Sequence, residues 1–486
     1  MSTTVSSQNA LFEETFNRYS SSLAMVTPDG QNLSFDKLHS TVKHFAAKLR
    51  QLGVRPGQVV APFSENPAAF YILVLALLRI GATAACLPSV DRAAKDGLIV
   101  DFAISLADRP SITARNLIFD QSWFDFEGND AIGPDGGFVF TSSGTTGSPK
   151  YYYVRQSLLK AWSDLSIGCL GDERMDTLVT LPAFSPYGLK CISHCHFLGG
   201  AVFFPRSSAA TTLMALKPVH PLDAMTTPAV FSDLLGAIKS GSKAPKFQRI
   251  VLGGSPVATE LARQGEEMLG CRIYNVYGST EACVNAMVHV TSSPFGKGHA
   301  GRPIHGVQFF IEDDQGKVLP ANQEGHVKVL VPPDCRMDKT LIGASPYDEQ
   351  GRFLSGDIGY LAAEGDLIVT GRSGDRINSS GSKVAPERYE ALALLHVKAT
   401  QIAAFGIPNA LGSDDVGIAV VCDEVVDLAA LKAKMEQVIG THLKVFAFQV
   451  KALPVNATGK IDRQALRQSL ASGSSLLSHS VAVSGG

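Results

Sequence analysis

The chain has 486 residues, of which 45% are hydrophobic and 18% charged, and its formal net charge at pH 7 is -2. This length exceeds what one hydrophobic core supports, so at least two domains are predicted. The balanced charge argues against a nucleic-acid binder or a disordered acidic tail, and it favours a small polar metabolite as the partner.

The cysteines, the N-terminus and the apolar runs indicate the compartment. Eight cysteines are scattered singly, which is typical of free thiols in a reducing compartment. Residues 1–10 are polar and serine-rich, so no secretory signal is expected. Arg79 and Gly81 interrupt the longest apolar run, at 70–87, which therefore predicts a buried helix and a strand. We expect a cytoplasmic protein without a membrane span.

Helical and strand-like patterns alternate through most of the chain. An amphipathic helix is predicted at 38–52 and a short strand at 59–61. Asn66 is expected to cap a helix over 67–80, with proline at its first position, and a strand follows at 83–87. This rhythm is that of a layered α/β protein. Further strands are predicted at 137–141, 178–181, 201–204, 249–252 and 272–276.

The pattern changes from about residue 301. Short strand-like runs at 307–312 and 326–331, separated by glycine, proline and aspartate, predict an antiparallel subdomain. The polar, glycine-rich stretch at 371–381 indicates a hinge to a smaller C-terminal domain. The residues after 471 are expected to form a frayed tail.

Cys191, His194, Cys195 and His196 form a short cluster that could be interpreted as a metal site. The cluster lacks a second ligand pair at a zinc-site distance and lies in an apolar stretch. Buried core positions are therefore the favoured interpretation.

A loop rich in hydroxyl groups and glycine follows the apolar strand near residue 140. It spans 141–150 and reads TSSGTTGSPK. Backbone amides and hydroxyls in such a loop can surround phosphate oxygens. It is not a Walker loop, because its glycines and lysine run G-x-x-G-x-x-K. Taken alone, this composition is more often a surface loop. The candidate phosphate-binding residues are Thr141, Ser142, Ser143, Gly144, Thr145, Thr146, Gly147 and Lys150.

A second motif, NVYGSTE at 275–281, follows another predicted strand. The ring of Tyr277 can stack on a purine, and the hydroxyl of Thr280 can hold a phosphate. The carboxylate of Glu281 can supply one oxygen ligand to Mg²⁺, which prefers few protein ligands beside substrate phosphates. The simpler alternative is a strand–turn–helix junction with Thr280 as the N-cap.

A third candidate pair is Asp357, within Ser-Gly-Asp, and Arg372, which follows Gly371. A carboxylate after a tight turn suits two vicinal ribose hydroxyls. The planar guanidinium can hold either the ribose or a phosphate. An aspartate in a turn is usually structural, so the pair is weak evidence alone.

The fourth motif, PVNATGKIDR at 454–463, places Lys460 on a glycine turn near the C-terminus. A lysine presented in this way can enter a site formed by another domain and neutralise charge on a phosphorane-like transition state. On its own, it would pass for a solvated surface lysine.

In this order, the four motifs resemble those of the adenylate-forming superfamily, which contains acyl-CoA and aryl-CoA synthetases, adenylation domains of nonribosomal peptide synthetases, and beetle luciferases. The resemblance covers nearly the whole chain, from 33–38 through 53–57 and 253–256 to Lys460. It implies an α/β fold with a large multi-sheet N-terminal domain of layered β-sheets and helices plus an antiparallel subdomain, at 1–371. A small mobile α+β C-terminal domain is implied at 372–486, with a hinge at about 372–375.

By the same resemblance, the loop at 141–150 binds phosphate, Tyr277 stacks on adenine, Thr280 contacts the α-phosphate and Glu281 binds magnesium. Asp357 then holds the ribose hydroxyls and Arg372 supports the nucleotide. Lys460 bridges the carboxylate and the phosphate, and Gly374 takes the hinge position. The implied catalytic residues are Lys460, Thr280 and Glu281, and further implied nucleotide-binding residues are Gly254, Ser255, Asn275 and Gly278.

The acyl pocket is expected at 182–189, the segment that lines it in the superfamily. No aspartate stands there to pair an α-ammonium group, which favours an acid without one, aromatic or of medium chain length. Phe184 and Tyr187 are similar to the aromatic pattern of benzoate-type CoA ligases, although the histidine of coumarate-type ligases is missing. Both are equally consistent with plain core positions. The implied acyl-binding residues are Phe184, Tyr187, Gly188, Gly253 and Gly278.

The resemblance implies ATP-dependent activation of a small carboxylic acid as acyl-AMP, with Mg²⁺, and then acyl transfer to coenzyme A. The nearest alternative is a stand-alone enzyme that loads an acyl or peptidyl carrier protein on its phosphopantetheine. The stretch after Lys460 is too short for a fused carrier, so a carrier is expected to act in trans. A catalytically silent homologue is disfavoured by the intact Thr280, Glu281, Asp357 and Lys460.

Overall fold

The structure, a computed structural model, divides into two compact units. The first contains the described residues up to Phe309 together with Val329–Leu354, and the second contains Phe310–Lys328 together with those from Ser355 onward. The described residues are 8–62, 66–106, 114–142, 149–296, 298–375, 377–379, 382–384, 386–409, 414–422, 424–439, 444–455, 461–471 and 477–480.

This division differs from the predicted domain boundary at residues 371 and 372. The antiparallel strands that precede residue 372 belong to the second compact unit, whereas the prediction assigns them to the N-terminal domain. The hinge at 372–375 stays a prediction.

The helices alternate with strands in the rhythm that the sequence predicts. They are α1 (Gln8–Arg18), α2 (Phe35–Gln51), α3 (Pro67–Arg79), α4 (Val90–Lys95), α5 (Leu158–Leu170), α6 (Pro186–Phe197), α7 (Ala209–Ala215), α8 (Pro228–Lys239), α9 (Thr259–Leu269), α10 (Pro386–Leu394), α11 (Leu428–Ile439) and α12 (Arg463–Ala471).

The strands of the first part of the chain are β1 (Leu23–Val26), β2 (Asn32–Ser34), β3 (Val59–Pro62), β4 (Thr83–Ala85), β5 (Phe102–Ser105), β6 (Arg115–Ile118), β7 (Gly137–Ser142), β8 (Lys150–Arg155), β9 (Thr177–Val179), β10 (Val202–Phe203), β11 (Leu222–Thr226), β12 (Phe247–Leu252), β13 (Arg272–Ser279), β14 (Cys283–His289) and β15 (His299–Pro303). The later strands are β16 (Gln308–Glu312), β17 (Gly325–Leu330), β18 (Lys339–Ile342), β19 (Phe353–Leu361), β20 (Leu367–Arg372), β21 (Ile377–Ser379), β22 (Ser382–Val384), β23 (Gln401–Pro408), β24 (Asp414–Val421), β25 (Val445–Val450) and β26 (Leu477–Ser480).

Helix α3 begins as its sequence predicts. The side-chain oxygen of Asn66 accepts hydrogen bonds from the backbone amides of Ala68 at 3.0 Å and Ala69 at 3.2 Å. Pro67 occupies the first turn, where its missing amide leaves no partner unsatisfied. Although α3 is strongly apolar, it has only 13 residues. Among the helices that the structure describes, none is long and apolar enough to cross a bilayer.

Two sheets form the first unit. In one, the strand order is β15-β14-β13-β12-β11-β9-β10-β1-β2, and the strands from β13 to β1 run parallel. Their carboxyl ends therefore meet at one edge, which is where ligands bind in parallel sheets. In the other sheet the order is β18-β8-β7-β4-β3-β5-β6, with β8 antiparallel to both neighbours.

Helices α8 and α9 pack against the first sheet through a buried apolar cluster. Amphipathic helices are stabilised mainly by such burial, and the cluster keeps strands β11 to β13 in one layer. Its most buried members include Leu178, Leu222, Ala224, Phe231, Ile250, Leu252 and Ile273.

The second unit contains strands in the order β16-β17-β19-β20 and a second sheet in the order β23-β24-β25-β26. In the latter sheet, β24 and β25 are parallel, and both outer pairs are antiparallel. Helices α10 and α11 cover it through a second apolar cluster that includes Tyr389, Ile418, Leu431 and Met435. The prediction of a frayed tail after residue 471 is wrong for 477–480, because β26 pairs its backbone with β25.

The prediction of free thiols is confirmed. All eight cysteines lie in the described part of the chain, and none is in a disulfide. Six of them are buried, which is typical of structural thiols.

Candidate active site

The ends of β7 and β8 carry the described residues of the proposed phosphate loop. The two strands are antiparallel, and their register pairs Thr141 with Tyr151 and Ser142 with Lys150. Lys150 therefore lies directly across from the hydroxyl-bearing end of β7. The predicted loop residues Ser143, Gly144, Thr145, Thr146 and Gly147 lie outside the described part of the chain.

The second motif forms the turn between β13 and β14. Residues 280–282 are the turn, and the strands on either side pair in antiparallel register, Ser279 with Cys283. A Cβ on Gly278 would lie 2.1 Å from the carbonyl oxygen of Cys283, so only glycine fits this crossing. Cys283 itself has a positive φ of 57°, a strained conformation of the kind that clusters at functional sites.

The hairpin excludes the strand–turn–helix junction that the sequence allowed as the simpler alternative. Thr280 is not the N-cap of a helix, because the chain reverses into β14. The side chain of Ser279 accepts a hydrogen bond from the amide of Ala282 at 3.0 Å, which stabilises the turn. Thr280 is therefore available for a role other than capping a helix.

Glu281 is held at both its side chain and its backbone. The residue is 8% exposed, and its Oε1 accepts a hydrogen bond from the hydroxyl of Tyr152 at 3.2 Å. Its backbone carbonyl accepts a hydrogen bond from the hydroxyl of Tyr347 at 2.6 Å. That hydroxyl in turn accepts from the amide of Met337 at 3.0 Å. The position of the carboxylate is therefore fixed from two directions.

Sequence reasoning missed Tyr152 and Tyr347. Burial and the neighbouring charge of Glu281 raise the pKa of the Tyr152 phenol, so its hydroxyl keeps its proton and stays a donor. Three tyrosines follow Lys150, and in an alternating strand some of them must face the loop's side of the sheet, which is a usable signal. Tyr347 lies 66 positions from Glu281, and no local pattern marks it.

Two further residues of β13 have side chains suited to a nucleotide base. Asn275 is 9% exposed, and its Oδ1 is buried without a hydrogen-bond partner among the described residues. Such an acceptor suits an amino group of a ligand. The ring of Tyr277 is partly exposed, and its centre lies 6.0 Å from that of Phe309 in an edge-to-face arrangement.

The strand ends next to β13 carry the Gly-Gly-Ser segment. Gly253 follows β12, and a Cβ there would lie 2.7 Å from Cε1 of Tyr187 and 3.0 Å from Cγ2 of Val276. The ring of Tyr187 thus lies directly on the backbone of Gly253. Gly254 has a φ of 92° and, like the partly exposed Ser255, faces out of the core. The structure thereby brings together two of the predicted acyl-binding residues.

The start of α6 presents the predicted acyl pocket segment. Ser185 caps the helix, its Oγ accepting a hydrogen bond from the amide of Gly188 at 3.0 Å. Phe184 and Tyr187 are both partly exposed, so neither is a fully buried core aromatic. Gly188 is buried, and a Cβ there would lie 2.2 Å from the carbonyl oxygen of Pro182. A side chain at residue 188 would therefore push the segment apart.

The cysteine and histidine cluster on α6 takes part in core hydrogen bonds. Nδ1 of His196 lies 3.1 Å from the hydroxyl of Tyr71, and its Nε2 lies 2.9 Å from the carbonyl oxygen of Ala24. Nδ1 of His194 lies 2.8 Å from Oγ of Ser163. Within the described ranges, no three metal-ligating side chains come together.

In the second unit, Asp357 and Arg372 form an ion pair. The register of β19 and β20 sets them directly opposite each other, and Nε of Arg372 lies 2.7 Å from Oδ1 of Asp357. Asp357 is 5% exposed. Its amide donates to Oγ of Ser355 at 3.0 Å, and Ser355 donates to the carbonyl of Val327 at 2.6 Å. Asp357 therefore lies within β19 rather than after a tight turn, and these hydrogen bonds hold the strand at the carboxylate.

Lys460 lies outside the described residues, whereas Val455 and Ile461 on its two sides are described. Val455 and Ile461 form an antiparallel bridge. Arg463, at the start of α12, is 11% exposed at its side chain and pairs with Glu390 at 2.7 Å and Asp375 at 3.3 Å. These ion pairs therefore hold the first turn of α12, which begins three residues after Lys460.

Comparisons with known proteins identify the family of the chain. The AMP-binding enzyme family matches residues 12–95 and 109–330. The chain is 26% identical to oxalate–CoA ligase of Arabidopsis thaliana, over 95% of this chain and 98% of that protein. It is 25% identical to enterobactin synthase component E of Escherichia coli (strain K12), over 94% of this chain and 93% of that protein.

The fold is also that of solved structures. Over 95% of this chain and 99% of the other, ATP-bound MatB from Rhodopseudomonas palustris superposes with a TM-score of 0.81 at 21% identity. The α/β fold expected from the sequence is thereby confirmed. Because the family match covers more than half of its length, the chain belongs to the AMP-binding enzyme family and is an ATP-dependent, AMP-forming acid–thiol ligase.

Proposed function

We propose that this enzyme converts a carboxylic acid without an α-amino group into its acyl-AMP and then transfers the acyl group to coenzyme A. The observation that carries the proposal is the turn after β13. There the Glu281 carboxylate accepts a hydrogen bond from Tyr152 and its backbone carbonyl accepts one from Tyr347, on the hairpin whose first strand carries the unpaired oxygen of Asn275. A fixed carboxylate beside base-binding groups suits a nucleotide with its cation.

The first half-reaction must bring two anions together. A carboxylate oxygen of the acid attacks the α-phosphorus of ATP, the bond to the bridging oxygen breaks, and pyrophosphate leaves. A carboxylate is a poor nucleophile toward an anionic phosphate. The protein must therefore cancel charge and hold the reactants in line.

Magnesium fits the residues at the β13–β14 turn. Mg²⁺ usually takes one or two carboxylates and completes its shell with substrate phosphates and water. Glu281 supplies one oxygen-donor group of this kind, and elsewhere in the described ranges no three-ligand metal group is present. When bound, the cation would neutralise phosphate charge. The hydrogen bond from Tyr152 would orient the carboxylate toward it.

The nucleotide would be held by groups of three kinds. The amide oxygen of Asn275 would accept from the amino group of adenine, and Tyr277 would stack on the ring. Thr280 would donate to the α-phosphate. The loop at 141–150 would surround the outer phosphates with amides, hydroxyls and the charge of Lys150.

The ribose and the transition state are assigned to the remaining motifs. The rigid carboxylate of Asp357 would accept from the two ribose hydroxyls, and Arg372 beside it would support the nucleotide. Lys460 would bridge the attacking carboxylate and the α-phosphate. Its positive charge is worth most while negative charge builds up on the phosphorane-like transition state.

The acyl group would lie against Tyr187 and the backbone of Gly253, with Phe184, Gly188 and Gly278 completing the pocket. A side chain at 253 or 278 would meet neighbouring protein atoms, so glycine at these positions keeps Tyr187 and the β13–β14 hairpin in place. This assignment extends the similarity to benzoate-type ligases.

Two thiols are candidates for accepting the acyl group. In the second half-reaction a thiol sulfur attacks the acyl carbonyl carbon, and AMP leaves. The similarity to oxalate–CoA ligase supports free coenzyme A. The similarity to a component of enterobactin synthase favours a carrier-protein phosphopantetheine as the second candidate. Eight free thiols fit the reducing cytoplasm in which we place the enzyme.

The test is exchange of labelled pyrophosphate into ATP with a broad panel of carboxylic acids. Acid-dependent exchange is expected, and it should be lost in Glu281→Gln. Glu267→Gln, an exposed carboxylate on α9, is the matched control and should retain exchange. Wild-type protein that binds ATP but exchanges with no acid would contradict the proposal.

The acceptor is tested separately. Thioester formation is measured with free coenzyme A and with a pantetheinylated carrier protein, using the acid that gives the highest exchange. Faster transfer to coenzyme A is expected. Transfer to the carrier alone would replace the first candidate with the second without affecting the adenylation step.

A further inference from the structure

Lys190 is a basic side chain in a position where proteins rarely keep one. It lies on α6 and is 1% exposed. Its Nζ is buried without a hydrogen-bond partner, and none of the carboxylates in the described ranges pairs with it. A buried ammonium without an anion is costly. A ligand anion that completes the pair offsets this cost.

The side chains around Lys190 supply no negative charge. Burial raises the pKa of the Cys191 and Cys283 thiols to about 11, even though the charge of Lys190 lowers it. Burial, with the charge of Lys190, lowers the pKa of His194 to about 3. At neutral pH both thiols are therefore protonated and the imidazole is uncharged. These neighbours therefore carry no negative charge that would compete with an anion for Lys190.

The two other charges that lower the pKa of His194, those of Arg249 and Lys160, are also basic. Arg249 lowers the pKa of His194 by less than burial and the charge of Lys190 do. The carboxylate partner of Arg249 is Asp223, whose Oδ2 lies 2.6 Å from Nε of Arg249. The electrostatic field at Lys190 therefore favours a negative ligand group.

Lys190 is next to the proposed acyl-binding residues. Its Nζ is 5.9 Å from the centre of the Tyr187 ring. The two residues are three positions apart on α6, so they share a helix face. The same ring lies on the backbone of Gly253. A substrate against Tyr187 and Gly253 would thus extend its far end toward the buried amine.

We propose that Lys190 binds the second carboxylate of a dicarboxylic acid whose other carboxylate is adenylated. This inference rests on the proposed function, since it names the acid class for that same pocket. A second carboxylate completes a charge pair in a low-dielectric setting, whereas the neutral end of a monocarboxylic acid leaves Lys190 unpaired. The aromatic or medium-chain acid expected from the sequence is thereby extended to one with an acidic far end.

The experiment compares matched acids with the full-length protein. Each pair has the same carbon skeleton and differs in one terminal carboxylate, for example butanoate and butanedioate, hexanoate and hexanedioate, or benzoate and benzene-1,4-dicarboxylate. The readout is kcat/KM for pyrophosphate exchange. We expect at least one diacid to exceed its matched monoacid by about 10²-fold, the scale of a buried charge pair.

The variant is Lys190→Met, which keeps an unbranched side chain, shorter by the terminal nitrogen, and removes its charge. It should lose that preference mainly through a higher KM for the diacid, with exchange of the monoacid kept or improved. Replacing an unpaired buried charge with an apolar group is often neutral or stabilising, so a Tm at or above wild type is expected. Lys239→Met, at the exposed end of α8, is the matched control and should keep the preference.

The outcomes are distinguishable. Exchange with monoacids but not diacids, or an equal preference in wild type and Lys190→Met, overturns the role of Lys190 and leaves the proposed function standing. No exchange with any acid overturns both. If Lys190→Met does not fold, the wild-type ratio of diacid to monoacid decides, because a ratio near one contradicts the proposal.

Discussion

The hydroxyl of Tyr152 donates a hydrogen bond of 3.2 Å to Oε1 of Glu281. This bond joins β8, at the end of the proposed phosphate loop, to the turn that carries the proposed magnesium ligand. Groups that orient a metal-binding carboxylate tune both its direction and its basicity. Tyr152 is therefore a positioning residue for Glu281.

Tyr152→Phe should raise the Mg²⁺ concentration needed for half-maximal exchange by about 10-fold to 10²-fold, the usual effect of removing such an orienting partner. The KM for the acid should stay near wild type. Measuring exchange against Mg²⁺ at saturating ATP checks this. The control is Tyr153→Phe, which changes the next residue of β8. An unchanged Mg²⁺ dependence in Tyr152→Phe would rule out the orienting role.

Lys460→Ala should lower pyrophosphate exchange by at least about 10²-fold, because it removes the charge that neutralises the adenylation transition state. Thioester formation from supplied acyl-AMP should remain largely intact, since that step needs no bridge between a carboxylate and a phosphate. Both half-reactions are measured on the same preparation. Lys451→Ala, at an exposed position, is the control. Equal loss of both half-reactions would contradict the assigned role.

Local signals in the sequence determine several elements of the fold. Asn66 and Pro67 predict the start of α3, because capping depends only on neighbouring residues. The alternation of apolar runs predicts strands β3, β7, β12 and β13 near their observed positions. Element ends are less well predicted. Helix α2 starts at Phe35, one turn before the predicted residue 38, because Ser34 caps it.

Long-range contacts account for what the sequence does not predict. The chain after Glu281 forms β14 because it pairs with β13. Nothing in the NVYGSTE motif itself distinguishes such a hairpin from the start of a helix. The bond between Tyr347 and Glu281 joins residues far apart in the chain. The unpaired state of Lys190 is visible only once its neighbours are placed, because the sequence shows merely one lysine in an apolar stretch.

The protein should lose stability as the pH falls from about 6.5 toward 4. Burial lowers the pKa of His196 to about 4 and, with the charge of Lys190, that of His194 to about 3. The unfolded chain titrates these groups near 6.5, so in this window it binds more protons than the folded chain. Each histidine then lowers the free energy of unfolding by about 1.4 kcal/mol for each pH unit.

Asp223 acts in the opposite direction, because burial raises its pKa to about 6 and its folded form takes up a proton in the same range. It should offset about one histidine below pH 6. Urea unfolding at pH 7, 5.5 and 4.5 measures the slope. His196→Gln should reduce it, and a free energy of unfolding that does not change between pH 7 and 4.5 would contradict this assignment.

Gly253→Ala should raise the KM for the acid by about 10-fold or more while leaving the KM for ATP near wild type. The new Cβ would lie 2.7 Å from Cε1 of Tyr187, so the ring must move within the proposed acyl pocket. One methyl group in such a pocket changes specificity by roughly 1–3 kcal/mol. The KM values are compared by pyrophosphate exchange with each reactant varied in turn.

Gly236→Ala separates a pocket effect from a general effect of adding a methyl group. Gly236 lies on α8, and a Cβ there would have no atom within 4 Å. Alanine at that position should therefore keep both KM values and stabilise the helix by up to about 1 kcal/mol. If Gly253→Ala changes the KM for ATP as much as that for the acid, the ring of Tyr187 does not line a pocket specific to the acyl group.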